Sequence, residues 1–182
     1  MSTERQQARR RAGWYNAVPN VLWSVLGLGP VAWFAYAHVG RPWLWGMVAV
    51  SLLAYLLPAR ALERLRLSAS PARYRRLGVH WLNRVTQNGE LVNRQLRRRF
   101  PGFRQVPGRA AAERHLRASY HLERFHLALL VFFVLVGAYA AACGQWGWAL
   151  LILVLNVGYN LYPMWLQQYL RSRLRAALRP GR

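Results

Sequence analysis

The sequence predicts an all-α polytopic membrane protein with four transmembrane helices, and three observations carry that prediction. Of 182 residues, 54% are hydrophobic, and they collect into four long stretches almost free of charge. All 26 Lys/Arg positions are arginine, and 25 of them fall in three blocks: before the first stretch, between the second and third, and after the fourth. No acidic residue occurs among the 58 at positions 125–182. Segregation of charge from apolarity along a chain is the pattern from which membrane topology is read.

Span one covers residues 18–39, with Trp23 and Trp33 inside it and Pro30 as an expected kink. Arg9, Arg10 and Arg11 precede it, as in a signal peptide. The apolar run is too long for a signal h-region, however, and no small-residue cleavage site follows, so the sequence reads as a retained span. Span two covers 43–57. Its fifteen residues rise roughly 22 Å, short of a ~30 Å hydrocarbon core. Trp43 and Trp45 are placed to anchor one end, and Arg60 to snorkel at the other. Span three covers 125–143 and span four 146–166.

The connections set the orientation. The loop between spans one and two carries only Arg41, and the loop at Gly144 and Gln145 carries no charge. Residues 58–124 carry 16 arginines against 4 glutamates. The positive-inside rule then places both termini and residues 58–124 in the cytosol. The expected location is the bacterial inner membrane (the cell membrane), crossed several times, with residues 1–182 forming a single membrane domain.

The cytosolic segment 58–124 reads as basic, amphipathic and helical. Ser70-Pro71 is an N-cap followed by proline at the first helical position. Tyr74, Leu77, Trp81 and Val85 then recur on one face, with Arg73, Arg76, His80 and Arg84 opposite, predicting a helix lying on the membrane surface. A turn at Asn88-Gly89 precedes a short helix over 90–99. Pro101-Gly102 and Pro107-Gly108 break the chain, and a third helix starts near Ala110 and runs into span three.

Composition narrows the function classes. The isoelectric point near 11.8 suits nucleic acid or anionic lipid. Because the arginine blocks flank apolar spans, lipid headgroups are the nearer partner and no nucleic acid is expected. A single cysteine, Cys143, excludes an internal disulfide and a cysteine-based metal site. His121, Glu123 and His126 do not share one helix face, so no metal is expected.

Two polar groupings stand out. Glu123 and His126 are spaced i, i+3, on one helix face where span three enters the membrane. Two roles fit them: use in chemistry, or pairing of Glu123 with a neighbouring arginine while His126 lies at headgroup level. In span four, Asn156, Asn160, Gln167 and Arg171 share a face, near an interruption at Tyr162-Pro163. Interhelical hydrogen bonding is the plainer role for such a stripe. Spans three and four meet the cytosolic face at matching depth, which lets Glu123, His126, Asn160, Gln167 and Arg171 converge.

These residues carry a resemblance. The run Asn160-Leu-Tyr162-Pro163-Met-Trp-Leu-Gln167-Gln-Tyr169-Leu-Arg171-Ser-Arg173-Leu174 resembles the closing signature of the glycosyl-4,4'-diaponeurosporenoate acyltransferase family. Glu123-x-x-His126 is similar to that family's Glu-x-x-His, and Gly78-Val79 with Trp81 resembles the start of its cytosolic segment. The likeness covers residues 74–175. Leu170 stands where the family has Asn, and the Lys/Arg-x-x-Leu-Pro segment usual after the tryptophan is replaced here by Asn83 to Gly89.

The resemblance implies transfer of a fatty acyl group to a sugar hydroxyl of a glycosylated carotenoid, or of another glycolipid, at the cytosolic membrane face. Under it, His126 is the expected general base and Glu123 its orienting partner. Asn160 and Gln167 would serve a developing oxyanion. Arg171 and Arg173, with the cytosolic arginines, would hold the phosphates of acyl-CoA, a co-substrate in a protein that needs no cofactor. Tyr169 and Trp81 complete the expected substrate-binding set. The alternative is a non-enzymatic membrane scaffold or accessory subunit in which the Asn/Gln stripe packs on a partner. Four spans make a small bundle, for which a homodimer is an open option.

Overall fold

The computed structural model describes residues 3–81, 94, 98 and 108–178. Every regular element among them is helical: α1 (Thr3–His38), α2 (Arg41–Tyr55), α3 (Ala59–Arg64), α4 (Pro71–Arg76), α5 (Arg109–Ala142), α6 (Trp146–Asn156), a π turn (Val157–Leu161) and α7 (Tyr162–Leu178). No strand occurs among the described residues. Of the short helix expected over 90–99 only Arg94 and Arg98 are among them, both helical; the turns at Asn88-Gly89 and Pro101-Gly102 lie outside.

Among the described residues, three stretches are long and apolar enough to cross a membrane: Asn20–His38, Arg109–Ala142 and Trp146–Ala176. The chain is a membrane protein on this ground. The fifteen residues of α2 fall short by length, although α2 packs along α5 as part of the bundle. α1 begins well before the expected Val18 and stays helical through Pro30. α5 is one helix of 34 residues, about 51 Å long at 1.5 Å per residue. It therefore carries its basic first turns beyond the depth of an apolar core.

Local chemistry explains the breaks. Gly40 and Pro42 start α2, proline being suited to the first turn, where its missing N–H has no partner to lose. After α5, Gly144 adopts φ 74°, and the Gln145 N–H reaches back to the Ala140 carbonyl at 2.8 Å. That is the glycine-terminated helix end expected for a reversal. Arg124 closes the other end of the α2–α5 pair by donating to the Leu57 carbonyl at 2.7 Å.

Two clusters hold the bundle. The larger packs Val31 and Phe34 of α1, Met47 of α2, Phe133 and Val136 of α5, and Ile152 of α6. The outward faces stay apolar: Trp43, Trp45, Leu53, Trp146 and Leu150 are each more than 60% exposed, as befits lipid contact. The smaller cluster packs Tyr74 and Val79 against Leu166 and Tyr169 of α7.

That smaller cluster corrects the surface-helix expectation. Ser70 does cap α4, accepting from the Ala72 N–H at 3.3 Å, but α4 ends at Arg76. Gly78, at φ 75°, turns the chain before a new helical start at Val79. Tyr74 and Trp81 therefore part company: Tyr74 is fully buried against α7, whereas Trp81 is 58% exposed.

Candidate active site

Two helices build the site from matching i, i+3 pairs. α5 presents Glu123 and His126, and α7 presents Gln168 and Arg171. Gln168 Nε2 donates to Glu123 Oε1 at 2.6 Å, and Arg171 Nη1 lies 2.5 Å from Glu123 Oε2. Both Glu123 oxygens are thus engaged in a site where the residue is 1% exposed. A carboxylate so deeply buried needs this degree of compensation.

Arg171 links that pair to a second carboxylate. Its Nε lies 3.4 Å from Glu63 Oε1, and its guanidinium sits 4.2 Å from the centre of the Tyr120 ring. Glu63 also pairs with Arg175 at 2.9 Å and with Arg66 at 3.2 Å, and it accepts the Tyr120 hydroxyl at 2.8 Å. Arg175 donates in turn to the Tyr120 hydroxyl. Burial alone would raise the Glu63 carboxyl, but the bonds and charges of Arg175, Tyr120 and Arg171 outweigh it and hold it below its usual value.

Gln168 ties the α3–α4 region to the same network. Its Oε1 accepts the Leu67 N–H at 3.1 Å and lies 3.0 Å from the Tyr74 hydroxyl. That hydroxyl also lies 2.9 Å from the Ser68 carbonyl, so its one hydrogen serves or is shared between two acceptors. Burial raises the Tyr74 phenol above its ordinary value, and the Ser68 bond offsets part of the rise.

His126 lies one helical turn farther along α5, in a separate polar pocket beside the π turn. The Asn160 side chain and the Tyr159 backbone are its polar neighbours, and the Tyr159 ring meets the imidazole edge-on at 6.1 Å. Asn160 is fully buried and donates to Asn156 Oδ1 at 2.8 Å. Asn156 donates to the Leu130 carbonyl of α5 at 3.1 Å. His126 Nδ1 and Asn160 Oδ1 are buried without a hydrogen-bond partner.

Pro163 accounts for the local backbone. It has no N–H, so the Tyr159 carbonyl four residues earlier loses its α-helical donor. The chain widens into the π turn, where the Tyr162 N–H bonds to the Val157 carbonyl. Single π turns of this kind recur at functional sites.

Helix α1 supports the pocket from the far side. The Tyr159 hydroxyl lies 3.2 Å from Ser24 Oγ, and its ring covers Gly27 so closely that a Cβ there would fall 2.3 Å from Cδ2. Only glycine permits that approach.

The structure thus brings together Glu123 with Arg171, and His126 with Asn160. No hydrogen bond joins Glu123 to His126 among the described residues, so the expected orienting contact is replaced by the α5–α7 ion pair. Gln167 is half-buried and outside the network; its neighbour Gln168 takes the place expected of it. The π turn changes the rotational phase of everything after it, and Pro163 was the signal available. Tyr169 is buried against Tyr74 at 6.2 Å. Arg173 is exposed and lies over the Tyr169 ring at 5.7 Å, away from the Glu63 group. The Trp81 ring lies tilted beside His80, centroids 5.3 Å apart. Glu63, Tyr120, Gln168 and Arg175 escaped the sequence reading, and only the scarcity of carboxylates singled out Glu63.

No group of three or more potential metal ligands occurs among the described residues. A family model described as glycosyl-4,4'-diaponeurosporenoate acyltransferase matches residues 58–180. That range includes both polar groups and excludes Ser24 and Gly27. No curated protein and no solved structure matches the chain.

Proposed function

This chain belongs to the glycosyl-4,4'-diaponeurosporenoate acyltransferase family, and on that premise we propose that it moves a fatty acyl group from acyl-CoA to a hydroxyl of a glycosylated carotenoid or related glycolipid. The reaction takes place at the cytosolic face of the bacterial cell membrane. α2 serves as a short fourth span, and both termini lie in the cytosol, as the arginine distribution favours.

His126 is the general base in this reading. It takes the proton of the acceptor hydroxyl as that oxygen attacks the thioester carbonyl. The C–S bond then breaks, and the proton passes to the departing thiolate. Asn160 lies beside the imidazole and accepts from one ring nitrogen once substrate closes the pocket, which leaves the other to receive the proton. Glu123 acts at one remove: its pairing with Arg171 and Gln168 fixes α5 against α7 and so sets the position of His126.

The observation that carries this reading is the buried, unpartnered polar pair at His126 and Asn160 beside the π turn, inside the matched stretch. An unpaired buried polar atom costs about 1–3 kcal/mol, so a buried pair of them calls for a role that explains it.

Mass spectrometry of lipids and pigments from cells with and without the gene, and with His126→Ala, tests it. The expected result is a glycolipid heavier by one fatty acyl group, lost in the deletion and in the variant. Full acylation by a stably folded His126→Ala protein would remove the base from the mechanism. Absence of any acylated difference, in a host that makes the acceptor, would overturn the activity.

A further inference from the structure

We propose that the cavity between the α3–α4 connection and α7 is a binding site for a phosphate ester. The cavity measures about 350 Å³, and its walls include Glu63, Arg66, Tyr74, Arg171, Ser172 and Arg175. Its charge does not balance. Three guanidinium groups converge on the single Glu63 carboxylate, at 3.2, 3.4 and 2.9 Å. Of the three, only Arg171 has a second carboxylate among the described residues, Glu123. Three cations against two anions leave one positive charge in excess.

The donors are also incompletely used. A guanidinium carries five N–H groups in a rigid fork. Arg66 and Arg175 spend part of theirs on Glu63, and their side chains remain 41% and 42% exposed. Planar forks with free donors match the tetrahedral oxygens of phosphate better than a point charge does. The volume suits a phosphodiester or diphosphate and is too small for an acyl chain. The two arginines expected from sequence to bind phosphate, Arg171 and Arg173, are not the ones available. Arg171 is 2% exposed and held by two carboxylates, and Arg173 lies over Tyr169.

Position gives the site a purpose, and this step rests on the acyl-transfer reading. Gln168 lines the cavity and donates to Glu123. Glu123 precedes His126 by three residues, roughly 4.5 Å along the helix axis. A donor anchored here by phosphate would direct its thioester towards His126. The phosphate has two possible sources, the diphosphate of a coenzyme A thioester or the phosphodiester of an anionic membrane lipid.

The test uses the full chain in maltoside micelles, which contain no phosphate, with coenzyme A, pantetheine and phosphatidylglycerol as probes. Arg66→Ala and Arg66→Glu are the variants, since among the described residues Arg66 pairs with Glu63 alone, at the surface; their melting temperatures confirm folding. The expected result is binding of coenzyme A but not pantetheine, weakened about tenfold by Arg66→Ala and further by Arg66→Glu. The same ranking for phosphatidylglycerol, with coenzyme A unbound, assigns the site to a lipid phosphate. If neither phosphate probe distinguishes wild type from the two variants, the site is refuted. Transfer assays separate the two claims. Arg66-dependent coenzyme A binding without acyl transfer would sink the activity and keep the site. Acyl transfer by a protein in which neither coenzyme A nor phosphatidylglycerol binding depends on Arg66 would sink the site and keep the activity.

Discussion

Arg171 and Glu123 bury opposite charges against each other, Nη1 lying 2.5 Å from Oε2 with side chains 3% and 1% exposed. They stand on different helices, 48 residues apart in sequence; Arg171 also reaches Glu63 at 3.4 Å, whereas Glu123 has no second cation among the described residues. Removing one member of a buried pair strands the other, at a cost of about 3–5 kcal/mol. Glu123→Gln and Arg171→Gln should each lower the melting temperature in micelles by roughly 6–20 °C. Replacing both by leucine should cost much less than the sum of the two. Additive losses in the double variant would show that the ion pair does not join the helices.

Gln168 and Gln167 should behave differently despite being neighbours. Gln168 bridges Glu123 and the Leu67 N–H, so Gln168→Leu leaves buried groups unpaired and costs about 1–3 kcal/mol. Gln167→Leu, outside the network, should stay within about 0.5 kcal/mol of wild type. Thermal denaturation of the two variants side by side decides this. Equal effects would place the wrong glutamine in the site.

Gly27 is predicted to act on the His126 pocket from outside the family-matched range. A Cβ at Gly27 would lie 2.3 Å from the Tyr159 ring, a clash with a bulky and well-held group. Gly27→Ala should cost about 1–3 kcal/mol through overpacking and reduce acyl transfer, because Tyr159 borders His126. In a Tyr159→Ala background the same substitution should be nearly neutral. A double-mutant cycle measures the coupling, and the absence of coupling would detach α1 from the site.

Acid should loosen the α3–α7 contact through Glu63. Its carboxyl sits below its usual value in the folded protein. A depressed folded-state value means that the stabilisation is fully present above the unfolded-state value. It is lost as pH falls through the folded-state value, so the window lies at acid pH. The melting temperature of wild type should fall more steeply there than that of Glu63→Gln. Parallel curves would show that Glu63 carries no linked stability.

The site was legible in parts. Glu123, His126, Asn160 and Arg171 were chosen from spacing and depth, and all four lie buried or half-buried where α5 meets the rod formed by α6, the π turn and α7. Their partners were not legible. Glu63 and Tyr120 come from segments whose helical patterns say nothing about which neighbour they face. Periodicity reports which residues share a face of one helix. It carries no information about the rotation of that helix against another.

The sequence by itself determined that the chain is helical, that apolar stretches long enough to span a membrane alternate with arginine blocks, that one unbroken helix leads into the third stretch, and to which family the chain belongs. These follow from local composition, hydrophobic length and motif order, all properties of neighbouring residues. Tertiary structure alone decided that Glu123 serves Arg171 rather than His126, that Gln168 replaces Gln167, and that Tyr74 leaves the surface to pack on α7. The physical reason is common to all three. Buried charges and polar groups must find partners across helices, and a single π turn or a glycine at positive φ changes which partners come within reach.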